Sequence, residues 1–134
     1  MAYLTNPVVT VNSIDLTAFC SSAEMIYEKD VLPADVFGTT AHENLPGLEN
    51  NSVTLNLFMS YAAGEVYATL KSLVGVSTTV TVKPTSAAIS ATNPVQQLVG
   101  CRLFSLPVAS GAVGELSQIS VTWQGGTWSE DTTP

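Results

Sequence analysis

The chain has 134 residues, 46% of them hydrophobic and only 11% charged, with 11 acidic against 4 basic side chains for a net charge of −7. That length suits one domain with one core, and the scattered Lys29, Lys71, Lys83 and Arg102 cannot replace the counterions of a bound nucleic acid. No stretch reaches the ~20 apolar residues of a membrane helix, so no membrane partner is expected. The start, MAYLTNPVVTV, lacks the charged and apolar regions of a secretory leader, so a soluble protein made in the cytosol is expected.

In chain order, PVVTVNSIDLTAF alternates Val9 and Val11 with Val8 and Thr10, then turns at Asn12-Ser13 into Ile14, Leu16 and Phe19. This predicts a hairpin or bent strand. SAEMIYEKD predicts a strand with Ala23, Met25 and Tyr27 on one face and Glu24, Ile26 and Glu28 on the other. Residues 30–50 hold two prolines and two glycines and read as a long loop. Loops of this length tend to be functional. This one carries Val31, Leu32, Val36, Phe37, Leu45 and Leu48, apolar groups that must be covered either by the loop's own core or by another subunit.

SVTLNLFMS predicts a strand facing Val53, Leu55 and Leu57 inward. The period then changes, and Val66, Leu70 and Leu73 fall at helical spacing, predicting a helix over about 62–74 with Ser60 as cap and Gly75 as its close. So short a helix needs a sheet to lie on. STTVTVKP is a strand stopped by Pro84, TSAAISATNPVQQ a small-residue loop, and LVGCRLFSLPV a strand with a bulge at Gly100. ELSQISVTWQGG turns Ile119, Val121 and Trp123 inward and ends at Gly125-Gly126. The tail TWSEDTTP finds no partner within the chain, and Trp128 reads as the more exposed of the two tryptophans. The expected fold is mainly β: an antiparallel β-sandwich or β-barrel with one short flanking helix.

Side chains able to do chemistry are sparse. His42 is the only histidine and stands beside Glu43 in the long loop, too little for zinc or for a nucleophile's base. Cys20 and Cys101 are far apart in sequence and form no CxxC motif; two buried thiols in a reducing compartment are expected. Glu28 with Asp30, and Glu130 with Asp131, are solvated carboxylates, and Gly111 and Gly114 form a turn without phosphate-loop spacing. No catalytic residue, cofactor or metal is expected.

Residues 47–126 carry a longer pattern. It runs from GLENNSVTLN through the AAG step and the short helix to the valine–threonine strand, then through PTSAAISATNP to GELSQISVTWQG. In this it resembles the tail tube proteins (major tail proteins) of long-tailed bacteriophages. The resemblance implies a non-enzymatic virion protein, assembled in the host bacterial cytoplasm, whose copies form hexameric rings stacked into a tube around a channel for DNA. It implies further virion proteins as partners, and DNA passing without sequence-specific binding, helped by acidic positions along the channel. Residues 30–50 would be the contact loop between subunits, anchored by Leu32, Val36, Phe37, Leu45 and Leu48, and residues 1–7 and 125–134 would be arms, with Trp128 as a further contact. A capsid decoration protein, or another head- or tail-completion protein on the same sandwich, is the alternative, separated by where the chain sits on the particle. A carbohydrate- or protein-binding sandwich, with Trp128, Tyr3 and Tyr61 as stacking platforms, is the third reading, and glycan binding would reveal it.

Overall fold

Residues 7–34, 44–109 and 111–133 are described by the structure, a computed structural model. The amino-terminal hairpin forms as its sequence dictates. Strand β1 (Val8–Val11) pairs antiparallel with the short β2 (Ile14–Asp15) through Val11 opposite Ile14. Asn12 and Ser13 both take positive φ, 52° and 66°, the two-residue turn whose twist matches the strands it joins. After a 3-10 turn at Thr17–Phe19 come β3 (Cys20–Ile26), β4 (Lys29–Pro33), β5 (Asn44–Glu49), β6 (Ser52–Phe58), helix α1 (Val66–Leu70), β7 (Ser77–Lys83), β8 (Val95–Leu103), β9 (Gln118–Gln124) and β10 (Thr127–Asp131).

Eight of these strands make one antiparallel sheet in the order β2-β1-β7-β8-β9-β6-β3, with β10 pairing to β8. Strands β4 and β5 form a separate two-stranded ribbon. Strict alternation along the strands sends one row of side chains to a common interior. That interior holds Val9 and Val11, Val53, Leu55 and Leu57, Val80 and Val82, Leu98, Cys101 and Leu103, and Ile119, Val121 and Trp123. Helix α1 closes it with Val66 and Leu70, and Leu73 follows in the turn beyond. The fold is therefore mainly β with one short helix, a sandwich-like sheet over one core.

The helix is shorter than the 62–74 its apolar spacing predicts. Gly64 at φ +76° ends the approach to it, and beyond Leu70 the chain tightens, the Leu73 N–H donating to the Leu70 carbonyl at 3.0 Å. Ser60 does not cap through its hydroxyl, which bonds the Glu65 carboxylate; its carbonyl accepts the Tyr67 N–H at 2.9 Å. Gly75 closes the element at φ +79°.

Two further expectations are corrected. Residues 30–50 are not an irregular loop at their ends: Val31 and Leu32 of β4 lie opposite Pro46 and Leu45 of β5. In a two-stranded ribbon each strand has one free edge, where a proline forfeits no ladder bond, so Pro33 and Pro46 are tolerated. The carboxy-terminal residues are not an arm without a partner either. After Gly125-Gly126 the chain continues as β10 along β8, with Trp128 opposite Leu98 and Asp131 opposite Val95. Val36, Phe37, His42, Tyr3 and the rest of 1–6 and 35–43 lie outside the described residues.

The turn into β10 depends on a backbone contact. Opposite β8, β9 supplies Leu103's partner Trp123 and Arg102's partner Gln124, and β10 resumes at Val99 with Thr127. Between them, Gly126 sits so close to β8 that a Cβ there would stand 2.6 Å from the Val99 carbonyl oxygen and 2.8 Å from the Cys101 nitrogen. On its other edge β8 bulges at the same level, since Thr78 pairs Cys101 and Thr79 pairs Val99, leaving Gly100 unpaired at φ +81°.

Gly125 and Gly126 share φ +82°, yet a Cβ at Gly125 would meet nothing within 4 Å. Gly125→Ala is therefore expected to cost only the left-handed backbone term, about 1–2 kcal/mol. Gly126→Ala adds a clash with backbone that cannot rotate away, for a total of roughly 3–5 kcal/mol. Denaturant unfolding of the two variants checks this; equal losses would refute the close approach.

Candidate assembly surfaces

The β4–β5 ribbon presents apolar side chains to water. Leu32 and Leu45 are cross-strand partners, and both are exposed, as are Val31 and Leu48, the last at 82%. The structure thus brings Leu32, Leu45 and Leu48 together on one ribbon. Trp128 lies beside the foot of the ribbon and is not free. It is half-buried on β10, its ring set edge-on to Tyr27 with centroids 4.5 Å apart and its indole N–H donating to the Gln96 side-chain oxygen at 2.8 Å. Met25, Tyr27, Gln96 and Trp128 line an open cleft at the foot of the ribbon. Tyr27 reads in the sequence only as one residue of a strand face, and nothing in its spacing marks it as the partner of a residue far along the chain.

A second exposed apolar region lies where sequence reading expects an ordinary turn. Phe104, Val108, Val113 and Leu116 of the β8–β9 connection are exposed, and the exposed Tyr61 donates its hydroxyl to the Val108 carbonyl at 2.6 Å. Tyr61 and Tyr67 rings lie 5.0 Å apart, and the Lys71 ammonium stands 5.3 Å from the Tyr67 ring centre.

Backbone edges form the third surface. Strand β3 pairs only with β6, and among the described residues no strand pairs with its outer edge; β2 ends the sheet on the other side. A groove lined by Pro7, Val9, Thr17 and residues 20–23 separates β1 and the 3-10 turn from β3, and no ladder among the described residues joins them. The sheet's outward face is mainly polar: Thr10 bonds Thr81, Thr54 bonds Thr122, Asn56 bonds Ser22, and Gln118 bonds Ser21, while the register also places Glu24, Lys83, Arg102 and Asp131 on it. Cross-strand pairs of this kind stiffen a sheet without core burial.

No cluster of three or more His, Cys, Asp or Glu able to hold a metal occurs among the described residues. Both cysteines are free thiols, Cys101 fully buried and Cys20 half-buried. Burial disfavours the thiolate at each, raising Cys20 and pushing Cys101 up to about 11. The Cys101 thiol also donates to the Thr78 carbonyl at 3.2 Å.

Comparison with known proteins gives no match among family models and none among curated proteins. Solved structures do match. The tube-terminating cap of the anti-feeding prophage superposes with a TM-score of 0.68 at 13% identity, over 99% of this chain and 93% of that one. The sheath/tube terminator of an extracellular contractile injection system, in its extended state, gives 0.69 at 13% identity over 98% and 96%. A chain of the sheath–tube complex of such a system gives 0.69 at 11% identity over 99% and 93%. The chain shares their fold through nearly its whole length.

The thiols give a direct check of the interior. In native protein near pH 8, Cys101 is expected to resist iodoacetamide and Cys20 to react more slowly than a free cysteine, both reacting freely in denaturant. The raised pKa favours the neutral thiol in the fold, so this protection is full below the thiol's ordinary range and falls as pH climbs toward 11. Rapid native labelling of Cys101 would place it outside the core.

Proposed function

We propose that this chain is a structural subunit of a phage-tail-like particle, a self-assembling tail tube protein whose copies form hexameric rings stacked around a channel. The observation that carries the reading is the β4–β5 ribbon: four apolar side chains stand exposed, beside a sheet whose ends pair with no further strand among the described residues. A long edge and an apolar ribbon are liabilities in a monomer. Ring closure removes both, because each edge meets the next copy and each ribbon finds a surface to cover it. Low charge lets such surfaces meet without strong repulsion. The near-full-length likeness to tube terminators and to a sheath–tube chain supports a place in a tube, and with it contacts to other tail proteins. Leu32, Leu45 and Leu48 are the proposed anchors, with Val36, Phe37 and Trp128 as further contacts.

The channel face proposed here is the outward sheet face. Its Thr, Ser, Asn and Gln side chains offer a passing polymer no line of cations to bind, so DNA would move along it without sequence-specific contacts. Strong acidic repulsion is not part of this reading, because the ladder of bonded side chains on that face is largely neutral.

A second reading, a tube terminator that forms one ring and stops, is favoured by the two terminator chains among the structural neighbours. Negative-stain imaging of the purified chain over a range of concentrations separates the two. Stacked tubes of indefinite length support the tube subunit, and single rings support the terminator. The double variant Leu45→Asp with Leu48→Asp is expected to abolish either assembly while leaving the unfolding temperature within about 2 °C, as substitutions at exposed sites do. Assembly that survives both substitutions would remove the ribbon from the contact.

A further inference from the structure

Between the ribbon and the sheet lies one buried polar side chain. Asn51, 1% exposed, immediately precedes β6. Its Oδ1 accepts the Glu28 N–H at 3.0 Å, from the residue before β4. Its Nδ2 donates to Glu49 Oε1 at 3.1 Å, on the last residue of β5, and to the Gly126 carbonyl at 3.2 Å, on the hinge into β10. Its own carbonyl accepts the Gly125 N–H at 2.9 Å. Glu49 Oε1 also accepts the Trp128 N–H at 3.4 Å, and the Asn50 N–H closes on the Glu28 carbonyl at 2.7 Å. One short amide therefore ties both strands of the ribbon to the point where the sheet turns.

We propose that Asn51 is a positioning residue that locks the ribbon in the pose assembly needs, a role that rests on the assembly function given above for the ribbon. The chemistry demands an amide. A buried donor and acceptor side by side, each paired, are costly to lose singly. Aspartate keeps the acceptor but has no N–H for Glu49 or Gly126, and sets a second carboxylate beside Glu49. Alanine leaves all of these partners open. Among the described residues the side-chain hydrogen bonds from the ribbon ends to the body converge on this cluster, so the ribbon's direction depends on it, while β6, β7, β8 and β9 keep their own ladders and core.

The test uses the full chain in two measurements. Amide exchange on dilute, unassembled protein reads the lock itself. Asn51→Ala and Asn51→Asp should speed exchange across residues 29–33 and 44–49 about tenfold or more, the loss of a buried hydrogen bond, while β7 and β8 keep wild-type rates. Glu49→Gln, which keeps an acceptor, should stay close to wild type, and Glu49→Ala should move part of the way. Pelleting of assembled particles then reads the consequence: the concentration needed for assembly should rise about tenfold in both Asn51 variants. Unchanged exchange at the ribbon, or equal acceleration in every strand, overturns the lock. A loosened ribbon with undiminished assembly leaves the lock standing but overturns its role in assembly, and with it the place of the ribbon in the proposed function.

Discussion

Backbone lies on backbone where Gly126 meets Val99, Gly100 and Cys101, and most of what distinguishes this sheet follows from that contact. A strand that ran straight on from Trp123 would leave β8 after two residue pairs. The two glycines let the chain fold back onto β8, so a single strand carries β7 on one edge and, in succession, β10 and β9 on the other. The bulge at Gly100 bends β8 at the same level. Strands β9, β6 and β3 thereby swing away from β1, β7 and β10, and both groups turn their apolar rows onto one core around Trp123.

The same bend leaves the sheet open. Among the described residues its ends, β2 and β3, do not pair, a groove separates β1 from β3, and the ribbon of β4 and β5 forms its own two-stranded sheet. A chain that gains its stability from the common interior has no need of these rows, and the proposed assembly would use them between copies. Asn51 joins the two regions, since the residue that receives the hinge also holds both strands of the ribbon. Geometry of the interior and direction of the outward ribbon are thus set at one place.

Much of the interior was legible in the sequence, because period-two alternation is a direct physical record of which face is buried. Val53, Leu55 and Leu57, like Ile119, Val121 and Trp123, lie where alternation puts them, and Gly100 is the bulge its isolation in a strand suggests. Features that rest on distant partners were not legible. The pair Gly125-Gly126 reads as a stop, because nothing local tells a strand that ends from one that kinks and resumes against β8. Trp128 reads as exposed because Tyr27 and Gln96, which cover it, are a hundred residues and about thirty residues away in the chain. Asn51 and Asn93 carry no signal of their own in the sequence, although each is buried and organises its surroundings, Asn93 by donating to the Ala87 and Ala88 carbonyls. The surface contacts proposed for Leu32, Leu45 and Leu48 had only apolarity in a polar stretch as their signal, and the structure adds that they share one exposed ribbon.

In the proposed assembly, sister copies supply the hydrogen-bonding rows that no described strand of this chain provides. Electron cryo-microscopy of the assembled particle, at a resolution that separates strands, examines it most directly. A strand of a neighbouring copy should run beside β3 at about 4.8 Å, the spacing of a continuous sheet. A map in which the outer edge of β3 faces solvent, or is covered by its own chain, would contradict it.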